Sequence, residues 1–211
     1  TAEVEEYGVD ECFADITPNF SGVNQTANFS ANILKLAEKI KNDLDIQLGF
    51  TFSVGVAPSK VLAKIGSKWK KPSGLTIIPG YLIHEFLRHK ATGDVWGIGP
   101  QTSAYLTKTG VRTALEFARK SEEWVRSRFT KPIFETWQEL RGMFVFPLDT
   151  IGRTTYTSVQ KVKTFTPPSN DRDFIFAQLS KNVENACIKL RRYNLAAGRG
   201  AFFLKLQTFR Y

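Results

Sequence analysis

The chain has 211 residues, 42% of them hydrophobic, with 17 Phe and 4 Trp, which supplies ample side chain for packed cores and excludes a disordered chain. No stretch approaches the roughly 20 apolar residues of a membrane span, the acidic start does not match a signal peptide, and Cys12 and Cys187 are too far apart in sequence to mark a disulfide framework or a zinc spacing. The net charge of +9 is uneven: residues 1–50 hold three Lys, no Arg and nine acids, a net of −6, and the remainder carries +15, which suggests a polyanionic partner such as nucleic acid.

A merely soluble basic surface is the plainer reading of that charge. The length suits one to two domains, or three small ones. The chain opens on Thr1 and its one Met is Met143, as expected of a piece of a longer or processed protein. The cysteine usage fits an intracellular, reducing compartment.

The first element in chain order is a hairpin. Val4 and Tyr7-Gly8-Val9 read as an incoming strand, Cys12-Phe13-Ala14 with Ile16 as an outgoing one, and Asp10 and Glu11 lie side by side between them. Neighbours on extended chain face opposite ways, so two adjacent acids converge on one ion only where the backbone bends. A hard cation such as Mg²⁺ takes one or two carboxylates from a protein. On spacing alone, turn chemistry at Asp10 with a solvated Glu11 is the commoner outcome.

Residues 18–28 read as a loop. Ser30 is placed to cap a helix whose apolar residues Ile33, Leu34, Leu36, Ala37, Ile40 and Leu44 recur at helical spacing. Residues 50–56 alternate and predict a strand. Ser59 then caps a helix with Val61, Leu62, Ile65 and Trp69 as its buried stripe. Lys60, Lys64 and Lys68 follow one another at i, i+4 and i+8, and residues 58–71 hold five Lys and no acid. Stacked like charges destabilise an isolated helix, so an external anion is one reading and a solvated lysine face the other. The strand-to-helix junction itself offers backbone N–H groups that suit a phosphate.

Residues 75–78 read as a short strand and 81–89 as a small helix with Leu82, Ile83, Phe86 and Leu87 inward. Val95-Trp96-Gly97-Ile98-Gly99-Pro100, followed by Ala104-Tyr105-Leu106 and closed by Thr109-Gly110-Val111, has the form of a helix-hairpin-helix, an element that grips sugar-phosphate backbone without reading sequence. Three helical pieces follow at 114–120, 122–129 and 133–143, with Trp124, Phe134, Trp137, Leu140 and Phe144 as their core. Residues 147–157 read as an interdomain linker. Beyond it the pattern predicts a strand at 158–166, an amphipathic helix at 171–193 and a strand at 201–210. Six basic residues and no acid lie between Lys189 and Arg210.

In this order the pieces resemble the Y-family (translesion) DNA polymerases, nearest to the bacterial DNA polymerase IV branch. Gly8-Val-Asp-Glu-Cys-Phe-Ala-Asp-Ile-Thr17 is similar to the family's palm motif, residues 52–65 running on to Lys71-Pro-Ser-Gly74 to its strand-helix segment, Val95 to Gly99 to its thumb hairpin, and residues 157–165 to the first strand of its little finger. The resemblance implies an α+β chain: a ferredoxin-like palm remnant at 1–67, an all-helical thumb with the helix-hairpin-helix at 68–150, and a truncated α/β little finger at 151–211. It implies template-directed DNA synthesis past lesions. Asp10 and Glu11 would bind the catalytic Mg²⁺, Lys60 the incoming triphosphate, and Gly97 and Gly99 primer-strand phosphates. Lys64 is a weaker candidate for a phosphate or DNA contact, and Asp15 is read as structural. The implied partners are primer-template DNA and deoxynucleoside triphosphates, with a sliding clamp reached through regions outside these residues and no membrane. The implied location is the cytoplasm of a bacterium or the nucleus of a eukaryote. The family's N-terminal strand, with a further metal-binding Asp, and its fingers do not precede Thr1, so the chain alone is expected to be inactive. The alternative reading is a non-catalytic DNA-binding module using the helix-hairpin-helix and basic strands, but such a module has no need of the acid pair and the lysine helix together.

Overall fold

Alternating chain at the N-terminus pairs with itself. In the computed structural model, which describes residues 3–20, 28–151 and 156–205, strands β1 (Glu3–Glu6) and β2 (Cys12–Asp15) form an antiparallel hairpin with Glu5 opposite Phe13 and Glu6 opposite Cys12. The incoming strand is shorter than its pattern predicts. Tyr7, Gly8 and Val9 belong to the connection, where the Tyr7 and Gly8 N–H groups both donate to the Glu11 carbonyl at 3.1 Å and Val9 is fully exposed. Asp15 accepts the Thr17 N–H at 2.8 Å and so starts the 3₁₀ turn Thr17–Phe20.

Helix α1 (Asn28–Leu48) begins before Ser30, which lies inside it and does not cap it. The exposed pair Lys39–Asp43 and the half-buried pair Lys41–Asp45 lie at i, i+4 along it, the spacing that supports a helix locally. Strand β3 is only Val54–Val56 because the preceding chain is held elsewhere: the Phe52 N–H donates to Asp45 of α1 at 2.8 Å, and Phe50 is exposed. Helix α2 (Lys60–Trp69) then crosses to β4 (Leu75–Ile77), which lies parallel to β3 with Val54 opposite Leu75 and Val56 opposite Ile77. A strand-helix-strand crossover gives parallel pairing. Gly55 is needed for its close packing, since a Cβ there would sit 2.1 Å from the Ala63 carbonyl oxygen of α2. The described strands form two separate two-stranded sheets.

Short helices follow: α3 (Ile83–Leu87), α4 (Pro100–Lys108), α5 (Ala114–Ala118), α6 (Glu122–Arg126) and α7 (Lys131–Leu140). Side chains cap two of them: Thr113 and Glu116 form a reciprocal capping box at α5, and Ser121 caps α6. Val61, Leu62 and Ile65 of α2 share one buried cluster with Leu106, Val111, Phe117, Val125, Phe134, Trp137 and Leu140. Burying each such side chain is worth about 1.5–3 kcal/mol. Two aromatics expected inside are not: Phe144 is 59% exposed, and Trp69 is 43% exposed with its ring centroid 4.8 Å from that of Phe86. The chain beyond α7 turns away at Gly142, which removes Phe144 from the helical stripe.

The chain divides into two units, Thr1–Thr150 and Ile151–Tyr211. In the second, helix α8 (Arg172–Arg192) is capped by Asp171, whose carboxylate accepts the Asp173 and Phe174 N–H groups at 2.9 and 3.3 Å. The strand predicted at 158–166 does not form, nor does the described part, 201–205, of the one predicted at 201–210; residues 206–210 lie outside the described residues. An extended segment becomes a strand only by pairing, and the described residues of this unit offer it no partner strand. Tyr156 and Tyr193 pack at a 4.5 Å centroid distance, with the Lys189 ammonium 4.6 Å from the Tyr156 ring. Among the described residues no helix is long and apolar enough to cross a membrane.

Candidate active site

The lysine helix α2 begins with its N-terminus already occupied. Ser59 caps it, its hydroxyl accepting the Leu62 N–H at 3.4 Å and donating to the Glu139 carbonyl at 2.7 Å. The Glu139 side chain, fully buried, accepts the Val61 N–H at 3.1 Å through Oε2 and the Val145 and Phe146 N–H groups at 2.7 and 2.9 Å through Oε1. An internal carboxylate thus takes the place where the strand-to-helix junction was expected to hold a phosphate. The positive end of the helix dipole favours it there.

Lys60 is 7% exposed. Its ammonium hydrogen-bonds the Glu5 carboxylate and donates to the Pro147 carbonyl at 2.7 Å, while Glu5 also accepts the Asp149 N–H at 2.9 Å. Burial pushes the Glu5 carboxyl up, but the Lys60 hydrogen bond, the Asp149 N–H and the Lys60 charge together outweigh it and hold the group below the ordinary carboxylate range. Lys60 therefore ties β1, α2 and the chain after α7 together, with its charge partnered inside the protein.

One turn along, Lys64 faces the hairpin connection. Its Nζ lies 2.7 Å from Glu11 Oε2, 4.3 Å from the centre of the Tyr7 ring and 5.1 Å from that of Trp96. The Trp96 indole N–H donates to the Tyr7 hydroxyl at 2.9 Å, and the two rings meet edge to face at 5.2 Å, with Phe13 beside them. The Lys64 hydrogen bond lowers the Glu11 carboxyl against a smaller rise from burial, and the charges of Lys64, Lys68 and Lys71 add to the lowering. Asp10 stands exposed on the turn, its Oδ1 curled toward Gly8. Glu11 and Lys64 are thus brought together, while Lys60 is drawn off to Glu5.

The Trp96 loop joins the same place. It follows a 3₁₀ turn at Thr92–Asp94, and a regular helix is absent there. Gly97 has φ +92°, and a Cβ on it would meet Thr136 Oγ1 at 2.6 Å, so internal packing demands this glycine. Gly99 caps α4 and has open space around its Cβ position, which leaves the start of that helix approachable. Between α2 and this loop lies a cavity of about 370 Å³ lined by Lys64, Lys68, Lys90, Asp94 and Trp96.

Asp10 and Glu11 supply hard oxygen donors of the kind Mg²⁺ accepts, and Mg²⁺ usually completes its octahedron with waters and substrate phosphates. Among the described residues no cluster of three or more His, Cys, Asp or Glu is placed to hold a metal. Glu5 and Glu139 were missed in the sequence because their partners lie 55 and 78 residues away. Periodicity carries no signal for such pairs.

Residues 1–68 match the sequence profile of the impB/mucB/samB family. The DNA polymerase IV of Methanoculleus marisnigri is 30% identical over 192 residues, covering 91% of this chain and 51% of that protein. The DNA polymerase IV of Neisseria meningitidis serogroup C is 29% identical over 139 residues, 66% of this chain and 38% of that protein. Among solved structures, DinB from Sulfolobus solfataricus matches with TM-score 0.53 at 28% identity, over 66% of this chain and 39% of that one. A Y-family DNA polymerase chimera of Dbh and Dpo4 matches with TM-score 0.67 at 26% identity, over 89% and 52%. The chain spans about half or less of the length of these relatives.

Proposed function

This chain is a relative of the Y-family DNA polymerases, of the DNA polymerase IV type, and from that premise we propose that the whole protein performs template-directed nucleotidyl transfer with Mg²⁺. Asp10 and Glu11 would hold the ion. Bound Mg²⁺ supplies positive charge to the attacking and leaving oxygens of an in-line displacement. We place the contact with the incoming triphosphate at Lys64 rather than Lys60, because the Lys60 ammonium is already shared between Glu5 and Pro147. Gly99, at the open start of α4, is the better placed of the two loop glycines to offer an N–H to a DNA phosphate, and Gly97 fixes the loop's shape. Primer-template DNA and deoxynucleoside triphosphates are then the partners. The palm would comprise residues 1–67, the thumb 68–150 and the little finger the rest, with α2 packed into the thumb's core.

The observation that carries this reading is the meeting of three features at one point: a carboxylate of the acid pair, a lysine of the basic helix and the tryptophan of the glycine loop. A DNA-binding module without catalysis gives no reason for an acid in that company. The test is primer extension by the full-length protein with Mg²⁺ and deoxynucleotides. Asp10→Ala combined with Glu11→Ala should abolish extension and leave binding of primer-template DNA in place. Undiminished extension by the double variant would refute the assignment.

A further inference from the structure

Lys64 stands between two sites of opposite charge. Its ammonium is 2.7 Å from Glu11 Oε2, and it also lines the cavity with Lys68 and Lys90. Its side chain is only 11% exposed, with the Tyr7 and Trp96 rings within 4.3 and 5.1 Å, so solvent screens it poorly. Lys68 lies one helical turn further on the same face. Lys90 has Asp94 at 3.8 Å as its anionic neighbour, so the cavity wall carries three ammonium groups against that one carboxylate.

These positions have a consequence for any cation that approaches Glu11. A divalent ion on the Glu11 carboxylate would face the Lys64 ammonium at hydrogen-bond range and repel it. The other space that Lys64 lines is the cavity, where two further lysines repel it in turn. An anion in the cavity removes that obstacle, because it offers Lys64 a partner and lowers the local positive potential.

We propose that Lys64 is a positioning residue that holds Glu11 until a phosphate group occupies the Lys64–Lys68–Lys90 cavity, so that phosphate and divalent cation bind cooperatively. The proposal rests on the reading of Asp10 and Glu11 as cation ligands. By linkage each ligand strengthens the other by the same factor, of the order of 5-fold to 150-fold for coupled sites. The phosphate could be free, as on a nucleotide, or part of a DNA backbone; the chemistry at the lysines is the same.

The test is Mn²⁺ binding to the full chain, read from the electron paramagnetic resonance signal of free Mn²⁺, in chloride, in inorganic phosphate at equal ionic strength, and with a short DNA duplex. Uptake by phosphate or DNA alone is subtracted with matched samples that contain no protein. In the wild-type chain phosphate should tighten Mn²⁺ binding at least 5-fold. Lys64→Gln should bind Mn²⁺ more tightly than wild type in chloride and gain less than 2-fold from phosphate. Lys68→Gln, which keeps the Lys64–Glu11 pair, should show a reduced phosphate effect without the gain in chloride. A response to duplex and not to inorganic phosphate would assign the cavity to backbone phosphate and keep the coupling. Equal phosphate effects in wild type and Lys64→Gln would overturn the proposal. Retention of Mn²⁺ binding by Asp10→Asn, Glu11→Gln would overturn the cation reading beneath it, an outcome separable from the first.

Discussion

On α2 the side chains of Lys60 and Lys64 leave the helix one turn apart, and their surroundings separate their roles. Lys60 is enclosed with Glu5 and two backbone groups, Asp149 N–H and Pro147 C=O, so removing either charge leaves the other buried without its partner. Breaking such a pair from one side costs about 3–5 kcal/mol. Lys60→Met should therefore lower the urea-unfolding free energy by about that amount at pH 7. The Glu5 carboxyl is held below its ordinary value of 4.5, so its contribution is present above that value and is lost as pH falls through the lowered one. The gap between wild type and Lys60→Met should accordingly shrink on acidification below pH 4.5. A gap that stays constant from pH 7 to pH 3 would show that the pair is not its source.

At the scale of elements, helix α2 depends on a residue far from it in sequence. Glu139 of α7 satisfies Val61 N–H on α2 and the Val145 and Phe146 N–H groups beyond α7, and Ser59 donates to its carbonyl. Replacing it by Ala leaves the buried Val61 donor without its acceptor, at about 1–3 kcal/mol, and the half-buried Val145 and Phe146 donors without theirs, at less because water can reach them. Glu139→Ala should cost roughly 2–3 kcal/mol in chemical denaturation, and a loss below about 1 kcal/mol would contradict this role. The elements themselves were legible where their signals are local. Ser59 caps α2 as its position predicts, α2 buries Val61, Leu62 and Ile65, and Asp171 and Tyr193 bracket α8. What the chain pattern cannot carry is the partner. Residues 50–53 alternate like strand yet are tied to α1 through Asp45, and residues 158–166 alternate yet find no strand to pair with. The site was legible to the same extent: the acid pair, the lysine row and the glycine loop were visible, but the choice of Lys64 over Lys60 as Glu11's neighbour depends on Glu5, which only folding reveals.

For the whole molecule, the two units differ in how much they bury. The first holds one continuous cluster that runs from α2 through α4, α5, α6 and α7, whereas α8 in the second has no buried residue. Opening free energy follows burial. Amides in the middle of α2 should exchange with solvent only through global unfolding of the first unit, and those of α8 should exchange at least 100-fold faster. Comparable protection in α8 would mean that its apolar side chains, among them Phe176 and Val183, are covered in solution. Because α2 shares its core with α7, the side that carries Glu11 and Lys64 should unfold together with the helices that carry the Trp96 loop.

The most direct measurement of the site as a whole is single-turnover insertion of one deoxynucleotide by the full-length protein carrying Lys64→Gln. If Lys64 meets the triphosphate beside Glu11, the apparent Kd for the incoming nucleotide should rise at least 10-fold while affinity for primer-template DNA changes less than 2-fold. An unchanged nucleotide Kd with normal folding would contradict the placement of nucleotidyl transfer at the junction of Glu11, Lys64 and Trp96.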